Sequence, residues 1–248
     1  MQKINSSICV VVPVYNSEKT LCQLTKELIL VLEKFNEYMI VLVDDNSKDN
    51  SFDCIKDICK VNEHIVGIKL RKNYGQQNAI MCGLNFSNCD YTVIIDDDME
   101  QDPKDILRLF DEIILGYDVV YGINQNLKSQ HRTMGSKMRD MLFCKLTDIP
   151  NNKKVSSFRI INGKTVERMK SAKTKFVYIS METLKYTNNI ENISIKSSEV
   201  SKSNYNIFKL IKLYTNIIIY YSNNRLLNTL ARQDECYRVE IILNEGIL

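Results

Sequence analysis

The chain has 248 residues, 44% of them hydrophobic and 25% charged, and a formal net charge of +3. That is globular composition, enough for one large domain with or without an extension, and too weakly basic to argue for nucleic acid as a partner. Its 8 cysteines include no C-x-x-C pair and it has only 2 histidines, which excludes an ordinary structural zinc site. In chain order, Ile8–Val14 reads as a buried strand running into Tyr15, Asn16, Ser17 and Glu18. Leu21, Leu24, Leu28, Val31 and Leu32 follow at helical spacing, with Ser17 as the candidate cap. Met39–Val43 is a second strand and ends in Asp44, Asp45, Asn46 and Ser47. Ser51–Cys59 is helical, and Ile65–Leu70 is a third strand. Arg71–Leu84 is a loop that enters a helix near Gln76. A fourth strand starts at Val93, Pro103–Leu115 is a helix, and Asp118–Tyr121 is a short strand after a stop at Gly116. Strand and helix alternate, which predicts an α/β fold with a mainly parallel sheet flanked by helices.

The alternation weakens after Gly122. A polar stretch carries Lys128, His131 and Arg132, and a helix is expected over Met134–Leu146. Ser156–Ile161 reads as a strand, Thr165–Met169 opens a helix, and Ile190–Ile195 is a candidate strand. Ile207–Tyr221 is strongly apolar with Lys209 and Lys212 spaced for one helix face, whereas Asn223–Leu248 carries no clear signal. No leader is expected before the first strand, and no apolar run approaches the ~20 residues that span a bilayer. The expectation is a cytoplasmic chain with reduced thiols, several of them in apolar runs.

The chain is organised around Val93–Pro103, V-I-I-D-D-D-M-E-Q-D-P. An apolar strand ends abruptly in Asp96, Asp97 and Asp98. Three adjacent carboxylates repel one another, and partial burial adds a desolvation cost that a bound cation removes. Oxygen ligands select Mg²⁺ or Mn²⁺ over zinc or copper. If the chain stays extended, Asp96 and Asp98 point one way and Asp97 the other. The bland explanation is helix-entry chemistry: Asp102 before Pro103 is a good N-cap. It accounts for Asp102 and poorly for the three carboxylates before it.

Four segments together resemble inverting family-2 glycosyltransferases: Pro13–Glu18 (P-V-Y-N-S-E), Val43–Ser47 (V-D-D-N-S), Asn73–Ala79 (N-Y-G-Q-Q-N-A) and the D-D-D-M-E-Q-D-P run. Within that family the chain looks most like the polyprenyl-phosphate glycosyltransferases, the dolichyl-phosphate mannose synthase group and its bacterial relatives. Val119–Gly122, Ser156–Ile160 and Lys202–Tyr205 extend the resemblance. It implies a GT-A fold, a UDP- or GDP-sugar donor, Mg²⁺ or Mn²⁺, and a polyprenyl phosphate acceptor reached from the cytoplasmic membrane surface by a peripheral enzyme. It divides the chain into a nucleotide-sugar half (1–122), an acceptor half of the same domain (123–205) and a C-terminal amphipathic helix with a tail (206–248). A second copy of the chain stays open as a partner.

Under that resemblance Pro13, Tyr15, Glu18, Asp44, Asp45, Asn73, Gln76 and Asp97 serve the nucleotide, with Tyr15 suited to stacking on the base. Asp98 is the first metal ligand and Asp96 the second. Glu100 stands where the relatives often carry Gln, and is read as a metal ligand or a positioner of the acceptor. Arg132 and Arg159 match arginines that hold the acceptor phosphate, a role suited to the planar guanidinium; Lys202 is a further candidate. The alternative for Arg159 is a strand-edge salt bridge. The chain departs from the pattern at Ser157, where an acidic residue is common, and around Ser198, where an arginine is common. The two membrane helices that many relatives add are not expected within these 248 residues. Ile207–Tyr221 is read either as an interfacial helix, with Tyr214, Tyr220 and Tyr221 at headgroup level, or as a helix packed on the core or a partner. Competing functions are transfer to a saccharide hydroxyl in capsule or lipopolysaccharide synthesis, which needs a base such as Glu182 or Glu100, and a non-catalytic glycosyltransferase-like binding protein. A receiver-type signalling module is disfavoured, because its acidic pair should follow the first strand.

Overall fold

Ile4–Val14 forms β1, whose last seven residues are all buried because strands flank it on both sides and helices cover both faces. Side chains alternate across such a strand. Val10, Val12 and Val14 accordingly join one core cluster, and Cys9 and Val11 join the other. The computed structural model describes residues 3–124, 149, 152–171, 176–196, 215–221 and 236–247.

The first half repeats strand and helix. After β1 come α1 (Leu21–Leu32), β2 (Phe35–Asp44), α2 (Ser51–Val61), β3 (Ile65–Leu70), α3 (Gln76–Phe86), β4 (Tyr91–Ile94), α4 (Asp105–Ile113) and β5 (Val119–Asn124). Among the described residues of the second half are β6 (Arg159–Asn162), α5 (Gly163–Lys170), α6 (Ile179–Leu184), β7 (Ile190–Ile195) and β8 (Val239–Leu243). One sheet runs β7-β5-β6-β4-β1-β2-β3-β8. β6 lies antiparallel to β4 and β5, and β8 antiparallel to β3; the remaining pairs are parallel. Helices α1, α2 and α4 cover one face, and α3, α5 and α6 cover the other.

Two features set the site's position. The carboxyl ends of β1, β2 and β4 lie side by side, joined by Val14 paired with Asp44 and by Ile95 N–H donating to the Val11 carbonyl at 3.2 Å. In addition, α3 packs so closely on β1 that a Cβ at Gly83 would sit 2.4 Å from Val11 Cγ1. That close approach brings the first turn of α3 to the same sheet edge.

The sequence pattern missed β8, a half-exposed edge strand from the tail, which Asn244 anchors by donating to the carbonyls of Cys59 and Ile65 at 2.9 Å each. The D-D-D run is not extended: the strand stops at Ile94, Asp97 and Asp98 form a turn, and Met99 takes a left-handed φ of 61°. The strict up-down alternation expected of the three carboxylates therefore does not hold. The Ser17 cap also fails, since its hydroxyl donates to Asp97 and the Tyr15 carbonyl while α1 starts after Thr20.

Of Ile207–Tyr221, residues 215–221 are described and are helical. Ile217 and Tyr221, four apart and so on one face, are buried against Met181, with Phe176 and Tyr220 packed beside them. Tyr221 is therefore not at headgroup level; its hydroxyl accepts from Tyr178 N–H at 3.0 Å. Ile218, on the next face, is 38% exposed. The expected Met134–Leu146 helix, Arg132, Ser198, Lys202, Lys209, Lys212 and Tyr214 lie outside the described residues. No described helix is long and apolar enough to cross a membrane.

Candidate active site

The carboxyl edge of β1, β2 and β4 and the first turn of α3 enclose a pocket of about 170 Å³ lined by Pro13, Val14, Tyr15, Asp45, Asn73, Gly75, Gln76 and Asp97. Six of these were expected from sequence; Val14 and Gly75 were not. Gly75 has a φ of 91°, which an L side chain rarely adopts, and the glycine inside N-Y-G-Q-Q-N-A was the available signal.

Asp45 is 3% exposed and accepts backbone N–H bonds from Tyr74 at 2.6 Å and Gly75 at 2.7 Å. Burial pushes its carboxyl above the ordinary range, and those two bonds work against the shift. Asp97 performs the matching task for the first loop. Its Oδ2 accepts from Tyr15 N–H at 2.9 Å and from the Ser17 hydroxyl, and its carbonyl accepts from Thr20 Oγ1 at 2.7 Å. Tyr15 itself stays 45% exposed where it lines the pocket.

Glu18 and Asp44 are not in the pocket lining. Glu18 Oε2 accepts from the Asn50 backbone N–H at 3.0 Å and from Asn50 Nδ2 at 2.9 Å, which holds the entry to α2. Asp44 is fully buried and accepts from Ser47 N–H at 3.2 Å, closing the turn after β2. Both carboxylates organise loops around the pocket.

The acidic turn is the electrostatic centre. Gln76 Nε2 donates to Asp96 Oδ1 at 2.6 Å, and Gln101 Oε1 accepts from Asp96 N–H at 3.2 Å. Glu100 N–H donates to Asp98 Oδ1 at 3.0 Å. Burial raises the carboxyls of Asp96 and Asp97, and the charge of Asp97 raises Asp96 further as that of Asp98 raises Asp97. Asp98 is the most exposed of the three; what burial it has raises it first, followed by the charges of Asp96 and Glu100. Among the described residues no group of three carboxylate, thiol or imidazole side chains closes on one point. The donor set nonetheless fits a hard divalent ion of the Mg²⁺ type, which takes one or two carboxylates and completes its shell with substrate phosphates and water.

Arg159 stands beside this turn. On β6 it pairs with Ile94 on one side and Tyr121 on the other, so it belongs to an interior strand and is 3% exposed. Its Nη1 donates to Ser180 Oγ at 2.9 Å, its Nε to the Ser157 carbonyl at 3.2 Å, and its guanidinium carbon lies 5.3 Å from the Tyr121 ring centre. Among the described residues it makes no salt bridge. The strand-edge ion pair considered from sequence is thus absent there, and a buried cation is held by neutral groups close to Asp96. Ser180 and Tyr121 carried no recognisable sequence signal for this task. Glu182 is fully buried and is paired with Lys185 Nζ at 2.8 Å.

The comparisons with known proteins agree with this architecture. Residues 9–173 match the model for glycosyl transferase family 2. The chain is 30% identical over 222 residues to an undecaprenyl-phosphate 4-deoxy-4-formamido-L-arabinose transferase of Proteus mirabilis, covering 88% of this chain and 68% of that one. It is 29% identical over 216 residues to the protein of the same name from Edwardsiella ictaluri, covering 85% and 66%. The chain thus spans about two thirds of the length of these relatives. Among solved structures, glucosyl-3-phosphoglycerate synthase of Mycobacterium tuberculosis, in complex with Mn²⁺, UDP and phosphoglyceric acid, aligns with a TM-score of 0.63 at 16% identity over 86% of this chain and 76% of that one. Mannosyl-3-phosphoglycerate synthase of Rubrobacter xylanophilus aligns with a TM-score of 0.60 at 13% identity over 86% and 72%. The sheet order, the pocket at its carboxyl edge and these matches lead to one conclusion: the chain belongs to glycosyl transferase family 2, and it is a glycosyltransferase with the GT-A fold.

Proposed function

We propose that the protein transfers a sugar from a nucleoside-diphosphate donor to a polyprenyl phosphate, with inversion, using a divalent ion, at the membrane surface. The observation that carries this reading is the juxtaposition of an acidic turn, Asp96–Asp98, with a buried arginine that has no carboxylate partner among the described residues. One element suits a metal–diphosphate; the other suits an anionic acceptor. The names of the curated relatives, which are undecaprenyl-phosphate sugar transferases, point to the same acceptor class.

The nucleotide enters the pocket lined by Pro13, Tyr15, Asp45, Asn73, Gln76 and Asp97. Tyr15 stacks on the base, and Asn73 supplies polar contacts at the rim. Glu18 and Asp44 contribute by fixing the two loops. Asp98 and Asp96 would hold Mg²⁺ or Mn²⁺, with Glu100 next to Asp98 in the same turn. When bound, that ion neutralises the charge that develops on the departing diphosphate. Arg159, and Arg132 by its place in the resemblance, hold the acceptor phosphate. A phosphate oxygen is already anionic at neutral pH, so the transfer needs orientation more than a general base. Transfer to a hydroxyl would need a base, and of its two candidates Glu182 is buried and held by Lys185, which leaves that reading only Glu100. Peripheral binding at the membrane would come from exposed apolar residues such as Ile218.

The test is product capture. Purified protein is incubated with UDP- and GDP-sugars, Mn²⁺, and either a short polyprenyl phosphate or the corresponding polyprenol. Mass spectrometry should find a sugar ester of the phosphate and nothing on the polyprenol. A glycosylated alcohol, or transfer only to added saccharides, contradicts the reading.

A further inference from the structure

Adjacent residues on α3 reach in two directions. Gln76 Nε2 donates to Asp96 Oδ1 at 2.6 Å, on the side of the acidic turn. Gln77 Oε1 accepts from Ile179 N–H at 2.9 Å, at the first residue of α6. The next residue of α6, Ser180, accepts from Arg159 Nη1 at 2.9 Å and is itself 5% exposed. The start of α6 has no side-chain cap of its own. Its leading N–H groups would otherwise be left without partners, as at any helix start. They are taken instead by other elements: Tyr178 N–H by the Tyr221 hydroxyl at 3.0 Å, and Ile179 N–H by Gln77. Ser180 follows directly on those two anchored residues and is one of three groups that hold the Arg159 side chain, beside the Ser157 carbonyl and the Tyr121 ring.

We infer that Gln77 is a positioning residue that fixes the acceptor-binding arginine through α6, while its neighbour Gln76 steadies the acidic turn. The first turn of α3 then registers the two halves of the site against each other. Asp45 holds the backbone just before that turn through Tyr74 and Gly75, so the α3 start is a fixed reference for both. This inference rests on the proposed role of Arg159 in holding the acceptor phosphate. Gln77 touches neither substrate in this arrangement; it acts on the acceptor through Ser180 and Arg159.

The experiment compares Gln77→Met, which keeps the shape and removes the accepting oxygen, with Gln77→Glu, which keeps an oxygen. Steady-state kinetics are measured with short polyprenyl phosphate and nucleotide sugar varied separately. Gln77→Met should raise the KM for the polyprenyl phosphate about tenfold, the scale of one lost buried hydrogen bond. The KM for the nucleotide sugar should stay within about twofold of wild type, and Gln77→Glu should recover most of the acceptor KM. Equal rises in both KM values, or no rescue by Gln77→Glu, overturn the inference. Amide hydrogen exchange at Tyr178–Ser180 supplies a readout that needs no acceptor. It should speed up about tenfold in Gln77→Met and be unchanged at Val93–Ile95. If wild-type protein does not use polyprenyl phosphate but this exchange difference appears, the acceptor reading has failed and the Gln77 contact stands; unchanged exchange overturns the contact itself.

Discussion

The Asp45 carboxylate accepts a hydrogen bond from Gly75 N–H at 2.7 Å, across a sequence distance of 30 residues. This bond ties the end of β2 to the start of α3. It also fixes a glycine whose φ of 91° shapes the pocket wall.

Asp45→Ala removes acceptors from two backbone N–H groups, those of Tyr74 and Gly75. Bonds to a charged acceptor contribute about 1.5–3 kcal/mol, and relief of the buried charge offsets part of the loss. The variant should lose about 2–3 kcal/mol of stability in urea unfolding. Its affinity for nucleoside diphosphate, read by calorimetry, should fall at least about tenfold, since the pocket wall loses its anchor.

Asp98→Asn should leave the fold intact, because Asp98 is exposed, and should cost about 10²-fold or more in turnover. Donor binding should also lose its dependence on Mn²⁺. Normal turnover with normal metal dependence would remove Asp98 from the metal site.

Glu100 is tested by restoring the amide commoner among the relatives. Glu100→Gln should slow transfer by about 10²-fold if the carboxylate ligates metal or positions the acceptor. Retained or higher activity would reduce Glu100 to a substitute for that amide.

The pH dependence follows from the direction of the shifts. Asp44, Asp45, Asp96, Asp97 and Asp98 all have carboxyls raised above 3.8, chiefly by burial. A raised acid binds more protons folded than unfolded, so its contribution to stability falls as pH rises from that value through the folded pKa. Above that window Asp44 and Asp45 carry the cost of a buried charge, half-buried Asp96 and Asp97 a part of it, and exposed Asp98 the least. A divalent ion bound there with UDP would offset the cost at the acidic turn only when those groups are ionised. The thermal shift produced by Mn²⁺ plus UDP should therefore be larger at pH 7.5 than at pH 4.5. An equal shift at both would separate metal binding from these carboxylates.

Membrane association is tested on the helical segment 215–221. Ile217 is buried and Ile218 is 38% exposed. Ile217→Glu should destabilise the fold by several kcal/mol, about the cost of an unpaired buried charge. Ile218→Glu should leave stability near wild type and weaken binding to anionic liposomes in a salt-sensitive way. No liposome binding by wild type at low salt would favour an acceptor delivered by a partner.

Much of the fold was legible because β1 and β2 are buried on both faces and appear as unbroken apolar runs. Their ends were equally clear, since Asp44 and Asp45 break the second run abruptly. Which carboxylates face the pocket was not legible. Glu18 and Asp44 stand at the right strand ends, yet each is consumed by N–H groups of a neighbouring turn, a local choice that residue type does not reveal. The contacts of Ser180 and of Gln77, which stands inside N-Y-G-Q-Q-N-A, were not legible because their partners lie 21 and 102 residues away. β8 escaped because V-E-I-I-L is a half-exposed edge strand whose pairing with β3 is long-range. For Tyr221 the sequence left an interfacial and a packed position open, and its partner at Tyr178 decides for the packed one.

The most direct single measurement follows nucleoside diphosphate release from the preferred nucleotide sugar, with Mn²⁺ present or chelated, and with short polyprenyl phosphate present or omitted. Release should require both the metal and the lipid phosphate, and Asp98→Asn and Arg159→Met should each lower it by about 10²-fold. Release that proceeds at the same rate without polyprenyl phosphate, or with the metal chelated, would contradict metal-dependent transfer to a lipid phosphate.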